Sequence, residues 1–161
     1  MSEYGEFQAL EERWQPWMDE LYGRLGFTVV SRQGNRRRDL VLSFNGTQYR
    51  VEEKYRDGIY DDLLIEFVQD MASQNWGWYY AEQMDRLVVP MHPDKQTEPK
   101  VVYSANWPEL KRWLQKDYLP HTTWPKAMIS PRGYGITLNI LVPLRKIPDG
   151  LVKCIYPIEV L

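Results

Sequence analysis

Glu52, Glu53 and Lys54 set two acids and an amine side by side in a segment that otherwise reads as a β-strand. Alternate residues of an extended strand share a face, so Glu52 and Lys54 point one way while Tyr49, Val51 and Tyr55 point the other. Leu40 to Phe44, Asn45-Gly46 and Thr47 to Tyr55 read as two strands joined by a type I′ turn, and this hairpin folds Asp39 back toward the triplet. Two carboxylates and an ammonium that converge suit metal-dependent phosphodiester hydrolysis. The carboxylates hold a hard divalent cation such as magnesium, which stabilises phosphate charge and acidifies a bound water. Lys54 orients that water or helps to deprotonate it.

Acid-x-Lys strings occur at 52–54, 98–100 and 109–111. Glu98 and Lys100 flank a proline in a polar loop, and Glu109 and Lys111 fall on a predicted helix, where residues two apart do not face each other. Only the first string has the geometry of a site. Its competing reading is the solvated face of an exposed strand.

The elements that must position the triplet follow from periodicity. Phe7, Leu10, Trp14, Met18, Leu21 and Leu25 recur at spacings of three and four, which predicts an amphipathic helix over 6–25 with Gly26 as its C-cap and a kink or restart at Pro16. Phe27 to Val30 is a first strand, and the hairpin supplies the second and third. Leu64, Phe67, Val68 and Met71 predict a second helix from Asp61, extending as far as Gln83. Asp85 to Val89 is then a buried strand stopped by Pro90. Asn106 with Glu109 makes a capping box for a helix to about Tyr118. Strands near 136–144 and 151–156, separated by Ile147-Pro148-Asp149-Gly150, predict a C-terminal hairpin.

With 161 residues and a hydrophobic fraction of 43%, the chain suits one domain, with a core at 6–90 and a C-terminal elaboration at 91–161. The net charge of -2 argues against a protein that coats nucleic acid by charge alone. Residues 1–80 carry 9 basic and 14 acidic residues, net -5, and residues 81–161 carry 11 and 8, net +3. The single cysteine, Cys154, is expected to be a buried thiol in a reducing compartment. The polar, acidic N-terminal stretch and the lack of an apolar run of roughly 20 residues lead us to expect a cytoplasmic, soluble protein with no membrane partner.

This order of helix, three-strand meander, helix and strand, with Asp39 at the start of the second strand and Glu52-Glu53-Lys54 in the third, resembles the PD-(D/E)XK nuclease superfamily over roughly residues 6–90. The resemblance implies an α/β (α+β) fold with a restriction-endonuclease-like core, to which the C-terminal helix and β-hairpin are added. It implies a magnesium-dependent nuclease, with manganese as an alternative cofactor and DNA as the expected partner, either monomeric or homodimeric. Asp39 and Glu52 would be metal ligands, the backbone carbonyl of Glu53 a further ligand, and Lys54 the residue that positions water. Arg38 stands where the family name has proline. Some relatives add a glutamate from the first helix and a glutamine with a tyrosine from the second, for which Glu11, Gln69 and Gln74 are candidates. The same scaffold also serves as a catalytically inactive module that binds nucleic acid or protein.

Arg32, Arg36, Arg37 and Arg38 precede Asp39, where they could clamp phosphates flanking a scissile bond or form a solvated basic loop. Trp76, Trp78, Tyr79 and Tyr80 suit core packing or base stacking. His92 and His121 lack partners at metal-ligand spacing and read as surface histidines in loops.

Overall fold

The computed structural model describes residues 3–32, 40–70, 75–76, 84–122, 127–132 and 135–158. It begins with α1 (Glu3–Arg24), which runs through Pro16 as one helix of 22 residues. Leu10 before the proline and Met18, Leu21 and Tyr22 after it are all buried on one face. Fully burying side chains of this size contributes roughly 1.5–3 kcal/mol each, which together exceeds the cost of about 3 kcal/mol for an interior proline. Gly26, at φ +92°, ends the helix. Phe27 N–H donates to the Tyr22 carbonyl at 2.9 Å and Gly26 N–H to that of Gly23 at 3.1 Å, the paired bonds of a Schellman cap.

Strands β1 (Thr28–Arg32), β2 (Leu40–Phe44) and β3 (Thr47–Glu53) form the predicted meander. The β2–β3 turn has Asn45 at φ 49° and Gly46 at φ 80°, as a type I′ turn requires. β4 (Arg56–Asp57), β5 (Asp62–Asp70) and β6 (Asn75–Trp76) follow, then β7 (Arg86–His92), β8 (Val101–Asn106) and α2 (Trp107–Trp113), whose cap is Asn106 accepting from Glu109 N–H. One π-type turn extends α2 through Leu114–Tyr118. β9 (Ala127–Arg132), β10 (Gly135–Pro143) and β11 (Val152–Tyr156) complete the described strands. The fold is mixed α/β and mostly antiparallel. The first sheet has the order β1-β2-β3-β7-β8-β11 with β4 also beside β7, and the second has the order β6-β5-β10-β9.

Three layers result. α1 covers one face of the first sheet, where Leu40, Leu42, Val51, Tyr55, Val88 and Val102 meet it. The second sheet and α2 cover the other, through Leu63, Ile65, Ile140 and Leu110 against Leu87, Val89 and Met91. β7 is buried on both faces, and its residues alternate between the two cores.

Three expectations are corrected. Over Asp62–Asp70 the expected second helix is a strand, its continuation at 71–74 and 77–83 lying outside the described residues: Leu63, Ile65 and Phe67 alternate into the core, and β5 is held by β10, 70 to 81 residues away, a pairing no local window contains. The two late strands are not a hairpin, because β10 lies between β5 and β9 whereas β11 pairs with β8 in the other sheet. Pro90 does not stop β7, which continues to His92. It interrupts the neighbour instead. β3 and β4 pair with β7 in parallel at one offset of 35 residues, Glu53 opposite Val88 and Arg56 opposite Met91, with one rung missing between them. Lys54 N–H donates to the Val88 carbonyl at 2.8 Å, and the next rung would need an N–H from residue 90, which proline lacks. No described helix is long and apolar enough to cross a membrane.

Candidate functional site

The triplet lies at this break in the ladder. Glu52 follows Leu87 in facing the second sheet, and Glu53 follows Val88 in facing α1. Lys54 shares the face of Glu52, with its Nζ 3.4 Å from Glu52 Oε1. Both are largely withdrawn from solvent: Glu52 is 4% exposed and the Lys54 side chain 16%. The strand parity read from the sequence therefore holds, although the face is buried rather than wet.

Glu53 is tied to three side chains. Its Oε2 accepts from the Tyr22 hydroxyl at 2.6 Å and from Arg32 Nη2 at 3.2 Å, and its Oε1 accepts from Arg32 Nη1 at 2.6 Å and from the Tyr55 hydroxyl at 3.3 Å. Arg32 spans onward to α1, where Nε and Nη2 both donate to Asp19 Oδ1, at 3.0 and 2.7 Å. The local cause is a β-bulge. Val29 pairs with Leu42 but Ser31 with Val41, so Val30 is extruded, half exposed, and Arg32 is turned to the α1 face alongside Leu40 and Val51. Burial would lower the Arg32 pKa, and the Glu53 and Asp19 carboxylates outweigh it, so the guanidinium is raised above its ordinary value and stays charged. Burial first, and then the Glu53 carboxylate, hold the Tyr22 and Tyr55 phenols well above theirs, so both act as hydroxyl donors.

The expected residues are thus sorted to different sides. Glu52 and Lys54 meet. The Glu53 carboxylate and Arg32 meet on the opposite side, where Arg32 engages two acids and not a surface phosphate. Glu11, half-buried on α1, lies on the side of Tyr55, whose phenol its charge helps to raise. Gln69 falls in β5, a strand where a helix was expected. Asp39, Arg36, Arg37, Arg38, Gln74, Trp78, Tyr79 and Tyr80 lie outside the described residues. Among the described residues no group of three or more His, Cys, Asp or Glu gathers as a metal-binding cluster. Of the other acid-x-Lys strings, Glu98 accepts from the Trp17 indole at 3.2 Å, and Glu109 and Lys111 lie on α2.

Two further expectations are corrected. His92 is no surface histidine but is fully buried in β7, stacked at 5.8 Å on Tyr55 and tilted at 5.6 Å against Trp14. Its Nδ1 meets the Thr97 carbonyl at 2.8 Å, and burial depresses its pKa. Cys154 is exposed, because β11 is an edge strand and position 154 points outward; its Sγ donates to the Tyr156 carbonyl at 3.1 Å. The signal for the Glu53 network was present in the sequence as parity: an acid on the same strand face as Val51 and Tyr55 is buried and needs a cation. What hid the partner was the bulge. Comparison of the chain with protein-family models, with curated proteins and with solved structures finds no match.

Proposed function

We propose that the chain is a metal-dependent nuclease with a restriction-endonuclease-like core, hydrolysing phosphodiester bonds with DNA as its substrate, and that Glu52 and Lys54 are its working pair. The observation that carries this reading is the separation of the two adjacent glutamates. Glu53 is consumed by Arg32 and two tyrosines, whereas Glu52 faces the other way, with an ammonium 3.4 Å off and the strand ladder broken beside it. Oxygen donors alone, the Glu52 carboxylate and the Glu53 carbonyl, suit magnesium or manganese better than a soft metal. Asp39 would complete the set, and since Leu40 pairs with Val51, the start of β2 lies level with the end of β3. The cation, when bound, would supply charge stabilisation of the phosphate and an acidified water. Lys54, its Nζ 3.4 Å from Glu52, orients the attacking water by donating to it. Arg36, Arg37 and Arg38 would contact flanking phosphates. The Glu53 side chain takes no direct part.

Incubating the protein with plasmid and short DNA duplexes, with and without magnesium, tests this directly. Cleavage is expected only with metal and is expected to vanish in Glu52→Ala and Lys54→Ala; cleavage that survives both substitutions overturns the assignment.

One observation favours a second reading, an inactive module that keeps the nuclease-like site for binding nucleic acid or protein. Where relatives by resemblance draw further site residues from a second helix, this chain has β5. Calorimetric titration with magnesium and manganese separates the two readings, because an inactive module without a metal site gives no heat that depends on Asp39.

A further inference from the structure

We infer that Glu53, Arg32, Tyr22 and Tyr55 form a positioning network that makes up for the missing rung at the end of β3 and so fixes the aim of Glu52 and Lys54. Its role in catalysis rests on the nuclease reading; its role in holding the strand does not. The parallel ladder lacks one rung where the triplet ends: Lys54 N–H still donates to the Val88 carbonyl, but Pro90 offers no N–H in return, and pairing resumes at Arg56. A strand that lacks one rung of its ladder is freer to twist there, and a twist at Glu53 swings the flanking Glu52 and Lys54 side chains together.

The Glu53 carboxylate opposes that twist. It is 8% exposed and takes four hydrogen bonds, two from one guanidinium and one from each of two phenols. The donors come from three places: Tyr22 on α1, Arg32 at the end of β1, and Tyr55 beside the missing rung. Arg32 is held in turn by Asp19 on α1, so the strand end is anchored to the helix layer at two points, three residues apart on α1. Tyr55 is held from a third direction by stacking on His92 of β7. Bidentate guanidinium–carboxylate pairing fixes orientation as well as distance, so the network restrains the rotation of the strand and not merely its position.

The test combines hydrogen exchange over residues 50–57, calorimetric titration with magnesium, and steady-state DNA cleavage, on the wild type, Glu53→Gln, Tyr22→Phe and the control Leu110→Ala. Leu110 is buried in the core on the other face of the first sheet from Glu53, and its truncation supplies the global change in stability. Glu53→Gln is expected to speed amide exchange at 54–56 at least tenfold beyond the global change seen in Leu110→Ala. It is also expected to weaken magnesium binding and lower kcat by about 10- to 100-fold with little change in KM, the range in which residues that orient a metal ligand act. Tyr22→Phe, which keeps the ring and three of the four bonds, should fall between it and the wild type. Wild-type exchange at 54–56 and wild-type kcat in a folded Glu53→Gln overturn the inference. If the wild type neither binds magnesium nor cleaves DNA, the nuclease reading fails, and the exchange measurement still decides whether the network holds the strand.

Discussion

Glu52 and Glu53 are the same residue type on consecutive positions of one strand, both almost fully buried, and they meet opposite surroundings. Glu53 faces the helix layer, where a bidentate arginine from β1, a phenol from α1 and the Tyr55 phenol reach it, so its charge is matched and its lone pairs are engaged. Glu52 faces the sheet layer, with a lysine at 3.4 Å. A planar guanidinium locks a carboxylate in one geometry, whereas an ammonium on a flexible stem leaves it room to exchange partners. Strand parity and the chemistry of the nearest cation, more than the identity of the acid, therefore set the two carboxylates apart, and the proposed function assigns the reactive role to Glu52 alone.

Breaking the α1 side should have the largest effect. Arg32→Ala leaves Glu53 as an uncompensated buried charge, and removing one member of such a pair costs about 3–5 kcal/mol. Arg32 is 17% exposed, which favours the lower end of that range. Urea unfolding is expected to show this loss, and a change below about 1 kcal/mol would mean that the two faces do not differ as described. On the other face the effect should appear in rate. Lys54→Ala is expected to lower DNA cleavage by at least about 100-fold, equivalent to about 2.7 kcal/mol of barrier, with a smaller change in stability than Arg32→Ala. A variant that loses stability and keeps its rate would exchange the roles assigned to the two sides.

The same contrast governs what could be read from the sequence. α1, its Gly26 cap, the β2–β3 hairpin with its Asn45-Gly46 turn, the α2 cap at Asn106 and the opposed faces of Glu52 and Glu53 all depend on neighbours within a few residues, and each was legible. β5 was not, because Leu63, Ile65 and Phe67 fit a strand as well as Leu64, Phe67 and Val68 fit a helix, and the partner that decides, β10, is remote in sequence. Arg32 was not, because one extruded residue, Val30, inverts the face on which it falls. The effect of Pro90 was not legible either: it does not end β7, but removes one rung from the ladder of its parallel neighbour, since its missing N–H points toward β3 and not toward β8.

A milder change sharpens the comparison. Tyr55→Phe deletes one hydroxyl bond to Glu53, at 3.3 Å, and keeps the ring that stacks on His92. A hydrogen bond to a charged group contributes about 1.5–3 kcal/mol, and this one, long and shared with three better bonds, should fall near 1 kcal/mol in urea unfolding. A double-mutant cycle with Arg32→Ala is expected to show coupling, since both donors serve Glu53 Oε1; strict additivity would mean that the Tyr55 hydroxyl lies outside the network.

The smallest expected effect is on pH, and it too belongs to the α1 side. His92 is buried there with its Nδ1 against the Thr97 carbonyl, and burial lowers its pKa, opposed only in part by that carbonyl and by the charges of Asp57 and Asp94. Its proton is therefore bound more readily in the unfolded chain than in the fold. A histidine depressed in this way leaves stability intact above its unfolded value near 6.5 and reduces it as the pH falls below that value. At pH 6.5 the unfolded imidazole is half protonated, so the loss there is at most about 0.4 kcal/mol, and below it the slope cannot exceed about 1.4 kcal/mol per pH unit for one proton. Thermal unfolding of the wild type and His92→Phe between pH 7.5 and 5.5 measures the difference. The wild-type curve should fall more steeply on acidification, whereas parallel curves would mean that His92 takes up its proton in the fold as easily as in water, and that the α1 side is less sealed than its geometry implies.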